Sequence, residues 1–224
     1  MTNIKAEVNR ESSVSFMIAE YNSSCAEIRV YQDAKTSRVN FYLVIVAAVI
    51  ASSAGLMDYV NITSLPIIIT IAAFLLLLLG IAVLNQLIYY FHAMTSLYRR
   101  LGRIRFWFLK LDSEIKPYLP FEPRDDRPYI DPQSFYIEYR VGDVIVIIIN
   151  AALASIGVLS IFYYFLPYLS SSISLPIGAL IFLVSWFAQK MYLRFKVRRI
   201  DRYLRVAIRF STDNLDTPKS NEDV

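Results

Sequence analysis

At 224 residues, with 56% apolar and 14% aromatic side chains, the chain carries more apolar surface than a soluble domain of this size needs to bury. Its net charge of +4, from 23 basic and 19 acidic residues, calls for no nucleic-acid partner. One cysteine, Cys25, and one histidine, His92, exclude an internal disulfide, a cysteine-rich metal site and a redox pair.

Residues 1–38 are polar and charged, without the short apolar stretch of a cleavable signal peptide, so the first apolar run is expected to act as an internal signal anchor. Val14, Met17, Tyr21, Cys25 and Ile28 recur every three or four positions, with Ser12 or Ser13 as a helix start, which predicts a cytoplasmic N-terminal helix. Cys25 then reads as a small packed residue of that helix.

Four apolar runs follow, at 39–57, 65–91, 144–166 and 175–193. Each has about 19 to 27 residues, enough at 1.5 Å per residue to cross a hydrocarbon layer of roughly 30 Å. They contain no acidic residue, and their one basic residue is Lys190, near the end of the fourth. Helices are the economical solution there, because lipid offers no partner to an open backbone, although Val and Ile favour strands in water. The predicted fold is all-α, an integral membrane bundle of four transmembrane helices with long cytoplasmic helical extensions.

In the first span Ala47, Ala51 and Gly55 form a stripe of small residues that permits close helix contact. Ser64-Leu65-Pro66 opens the second, a serine cap with a proline where its missing N–H costs nothing. Asn85 and Gln86 are polar positions within that span. Beyond it Met94, Leu97, Leu101, Ile104, Phe108 and Leu111 keep the rhythm of a supercoiled seam, with Arg99, Arg100, Arg103 and Arg105 between them. Residues 39–111 thus form a first transmembrane pair with a cytoplasmic helix.

Five of the nine prolines lie within 112–140 and are expected to stop the long helix near Ile115. That segment reads as a cytoplasmic connector, with a binding loop as the sharper alternative. Residues 141–211 form the second pair, in which Asn150 sits a third of the way into its span and needs a neighbouring helix or water. Two roles stay open for it, glue between helices and pore lining. Ser174-Leu175-Pro176 repeats the entry of the second span, and Leu193, Val197, Ile200 and Leu204 repeat the cytoplasmic seam. The tail, 212–224, reads as disordered.

Cations set the orientation. Five Lys/Arg precede the first span, nine lie between the second and third, and nine run from Lys190 onward, while 58–64 and 167–174 have none. This places both termini and the central connector in the cytoplasm of a cell-membrane protein, facing anionic inner-leaflet lipid. Phe41, Tyr42, Tyr89, Tyr90 and Phe91 mark the inner boundary, and Tyr59, Tyr163, Tyr164 and Tyr168 the outer one. AAVIASSAGL (47–56) also matches AALASIGVL (151–159) with one gap, so the spans read as two parallel two-helix units. Chance similarity between apolar segments is the rival explanation.

Catalytic signals are sparse. His92 stands alone, the six glycines form no phosphate-cradling loop, and neither G-x-S-x-G nor H-E-x-x-H occurs. No cofactor or metal is called for. No charged group sits at mid-span, where an ion-coupled carrier keeps one.

AEYNSSCAEIRVYQDAKTSRVNFYLVIVAAVIASSAGL, a short loop, and a Pro-led span running into LYRRLGRIRFWF resemble the layout of uncharacterised prokaryotic multi-pass membrane proteins, and in outline the SLATT-type membrane effectors. The resemblance implies an oligomeric, pore-forming or membrane-perturbing protein switched by a cytoplasmic protein or small-molecule signal. The expected function is a non-enzymatic homo-oligomeric channel-like or effector protein. A structural or assembly subunit of a larger membrane complex is the alternative, and a membrane enzyme at the inner interface a third possibility.

Overall fold

A computed structural model describes residues 2–56, 64–119, 141–165 and 171–205, and among them only helices and turns occur. The helices are α1 (Thr2–Leu56), α2 (Leu65–Leu111), α3 (Val141–Phe165) and α4 (Ser171–Arg205), with a short 3-10 turn at Ser113–Tyr118 after α2. All four are long and apolar enough to cross a membrane.

Three boundaries differ from expectation. α1 starts at Thr2 and not at Ser12 or Ser13, and it runs without a break past residue 38 into the first apolar run. α2 stops at Leu111, short of Ile115, because the Asp112 carboxylate takes the Glu114 N–H at 3.0 Å and caps a new turn. α4 begins at Ser171, which puts Pro176 inside the helix, whereas Pro66 stands in the first turn of α2. Ser171 and Ser172 extend α4 backwards, and a proline so near the start forgoes only one backbone bond. Most of the connector, 120–140, and the tail, 206–224, lie outside the described residues.

The chain divides into two compact units. Unit 1 holds residues 1–32, 90–131 and 198–224, and unit 2 holds 33–89 and 132–197. In unit 1, α1 and α2 pair antiparallel: Glu20 meets Arg100 at 3.2 Å, Tyr21 accepts from Arg105 at 3.2 Å, and Gln32 donates to Tyr98 at 3.3 Å. Ile28, Leu97 and Leu101 form its buried centre, with Tyr21, Cys25, Tyr31 and Tyr98 packed around them.

Unit 2 is built around α3. Lys35 lies 3.9 Å from Asp143 and Tyr42 bonds Asn150, so α1 and α3 run parallel. α2 runs antiparallel to α3, with Ala73 beside Gly157 and Gly80 beside Asn150. α4 does the same, pairing Gly178 with Ser155 and Gln189 with Asn150.

Candidate functional site

The residue on which the four helices of unit 2 converge is Asn150, fully buried on α3. A lone amide in an apolar layer is costly, and here every polar atom finds work. The Tyr42 hydroxyl of α1 donates to Asn150 Oδ1 at 2.6 Å. Asn150 Nδ2 donates to Gln189 Oε1 of α4 at 3.0 Å, and Gln189 Nε2 donates to Ser185 Oγ one turn back at 3.1 Å. The result is a directional chain of donors across three helices.

α2 completes the cluster by having no side chain. A Cβ on Gly80 would collide with the Asn150 carboxamide and stand 2.7 Å from Tyr42 Oη. Glycine here is a requirement of close approach, since the α2 backbone forms the fourth wall of the polar pocket. Tyr42, expected as a boundary aromatic, has no exposed surface and packs among the helices.

One heptad towards the N-terminal ends of α1 and α3, Lys35 and Asp143 form a second polar layer, with Asp143 buried. Beside this second layer Val39 packs on Gly142, where an added Cβ would stand 3.0 Å from the Val39 side chain. A third contact lies farther along α3, where Ser155 donates to the Gly178 carbonyl at 2.8 Å and Thr70 reaches the Gly157 carbonyl at 3.4 Å. Two amides, a phenol and a hydroxyl can align helices and bind small polar groups. Among the described residues no group of three or more His, Cys, Asp or Glu stands together as a metal site.

No known protein family, curated protein or solved structure matches this chain.

The other residues singled out by sequence fall in several places. Asn85 accepts from Tyr192 at 2.7 Å on the surface of unit 2, and Gln86 is exposed. Ala47 and Ala51 face outward, and a Cβ on Gly55 would meet nothing within 4 Å. Among the described glycines, an added Cβ would meet its nearest neighbours at Gly80 and Gly178. Leu97, Leu101 and Ile104 are buried in unit 1, with Met94 and Phe108 half-buried. Leu193 and Val197 are buried in unit 2 and Ile200 is half-buried, while the Leu204 side chain lies outside the described residues. Sequence reasoning missed Tyr42, Gly80 and the Lys35–Asp143 pair as parts of one seam. Their signal was present: Lys35 and Tyr42 are seven residues apart, and so are Asp143 and Asn150.

Proposed function

We propose that this chain is a non-enzymatic integral membrane protein that works as an oligomeric channel-like or membrane-effector protein, its cytoplasmic helices coupled to the spans. Residues 1–38, the connector and the residues after the fourth span lie in the cytoplasm, where the positive-inside bias of 23 Lys/Arg puts them. The observation that carries the proposal is continuity. α1, of 55 residues, and α2, of 47, are each one unbroken helix that contributes to both compact units, so displacement of either in unit 1 has a stiff route into the spans.

The spans form two parallel two-helix units, α1 with α2 and α3 with α4. The parallel course of α1 and α3 supports this arrangement, as does the match between residues 47–56 and 151–159. The polar centre supports a role for Asn150 as glue inside one chain, because its amide is bonded on both sides and has no exposed surface. Any conducting path then runs between copies and not through a single bundle. The layout of the first half is the one that resembles SLATT-type effectors, with a cytoplasmic signal as trigger.

Ion flux from liposomes containing the purified chain tests the proposal. Flux that rises with protein density supports it, and tight liposomes under every cytosolic extract and nucleotide tried reject it. The exposed Phe16 and Val30 of unit 1 favour the alternative of an assembly subunit, since they lie where no lipid covers them. Purification with one fixed partner in constant ratio would select that alternative.

A further inference from the structure

α2 and α4 both carry a run of cations beyond their apolar spans, and the two runs are used differently. In α2, Arg99 is buried, Arg100 pairs with Glu20 at 3.2 Å and Arg105 donates to Tyr21 at 3.2 Å, so these charges serve the packing of unit 1. In α4, residues 190–205 hold seven Lys/Arg against one acid, Asp201. Arg198, Arg199 and Arg202 are exposed there, and among the described residues none of the three has an ion pair or hydrogen bond within the chain. Such an uncompensated cluster attracts an anion from outside the chain.

The same side of the helix says which anion. α4 is one unbroken helix, and its exposed side turns from apolar to basic along a single line: Val184, Phe187, Met191 and Phe195, then Arg198 and Arg202. At 3.6 residues per turn these six fall within a sector about 80° wide. We propose that this face binds an anionic phospholipid of the inner leaflet, its phosphate held by Arg198, Arg199 and Arg202 and its acyl chains lying along Phe195, Met191 and Phe187. The site rests on the membrane orientation proposed above, and it names the helix end at which the lipid is held.

Height, direction and chemistry agree on this occupant. Arg198 lies five residues beyond 193, the end of the fourth apolar run, a rise of about 8 Å that matches the depth of a headgroup layer. Helical side chains lean towards the N-terminus of their helix, which for α4 is towards the bilayer. Two cations of this segment do so visibly: Lys190 Nζ lies 4.8 Å over the Trp186 ring and Lys196 Nζ 5.6 Å over the Tyr192 ring, each one turn back. Guanidinium forks suit phosphate oxygens, and clustered cations at the inner end of a span hold anionic lipid. A nucleic acid or an acidic peptide would use the arginines and leave Phe195 and Met191 in line with them uncovered.

The experiment uses the full chain in vesicles of phosphatidylcholine and brominated phosphatidylglycerol. Trp107→Phe, Trp186→Phe and Met191→Trp leave one indole, on the face in question, whose fluorescence the bromines quench. The expected result is a preference for phosphatidylglycerol over phosphatidylcholine of at least roughly fivefold. Adding Arg198→Gln, Arg199→Gln and Arg202→Gln should bring it to within about twofold of none. Arg10→Gln, Arg29→Gln and Lys116→Gln, at exposed positions and with the same loss of charge, should leave it in place. No preference in the first chain, no change on removing the three α4 arginines, or an equal fall in the second triple each overturn the proposal. So does displacement by glycerol phosphate at constant ionic strength, since a headgroup alone would then suffice. Failure of brominated phosphatidylcholine to quench would overturn the membrane reading along with it. No ion flux is read, so loss of the lipid site is separable from loss of the channel function.

Discussion

Residues 47–56 of α1 and 151–159 of α3 are similar in sequence, yet the two helices put these segments to opposite uses. Ala47 and Ala51 of AAVIASSAGL look outward, and Gly55 has open space around it. In AALASIGVL the matching Ala151 is fully buried, and Gly157 lies against Ala73 of α2. α3 touches all three other helices of unit 2, whereas α1 lies against them along one side. Similar local sequence is helical in both places, but the position in the bundle decides which faces become structure. The two segments also differ just before the alanine pair, where position 150 is Asn and position 46 is Val.

The strongest way to break this contrast is to put bulk at the two glycines that lie on its two sides. Gly80→Leu drives a side chain into Asn150 and Tyr42 and should cost at least the roughly 1–3 kcal/mol of an overpacked core, read as loss of folded protein in a detergent-denaturation titration. Gly55→Ala, at an open helical site, should be neutral or stabilising by up to about 1 kcal/mol in the same titration. If both behave alike, the central position of α3 is wrong.

Next in size is Asn150→Leu, which leaves the Tyr42 hydroxyl and the Gln189 amide without their shared partner. A cost of about 1–3 kcal/mol is expected. The combination Tyr42→Phe with Asn150→Leu should lose less than the sum of the two single changes, since an apolar pair demands no hydrogen bond.

The pair one heptad away is more accessible and longer, so its effect is smaller. A double-mutant cycle on Lys35→Met and Asp143→Asn should give a coupling of at least about 0.5 kcal/mol, and a value near zero would remove the second polar layer from the seam. Smallest of all, Ala51→Leu should change the stability of the single chain by no more than about 0.5 kcal/mol, because the side chain enters open space. The same detergent-denaturation titration reads it.

Much of the fold was legible because a membrane-spanning helix announces itself by length and hydropathy alone. The described residues of the four apolar runs all lie in helices, and the seam of Leu97 and Leu101 does pack, against Ile28 in unit 1. Asn150 was equally legible as a residue in need of a partner, since an amide within an apolar run admits few fates. Its partners were not. Tyr42 sits at the edge of its run, where tyrosine ordinarily marks an interface, and Gly80 follows five leucines with nothing to distinguish it from a helix defect. Neither residue differs locally from a bystander, because the property that matters is the distance to a side chain on another helix.

What the sequence by itself determined is the count and helical nature of four segments long and apolar enough to cross a membrane, through the cost of an unpaired backbone in an apolar layer. Which face of each helix is inside, and which small residues are contacts, only the tertiary structure decided. A stripe is a local property of one helix, whereas burial depends on the neighbour that covers it. In this bundle α3 is covered on three sides, through Asn150, and α1 on one.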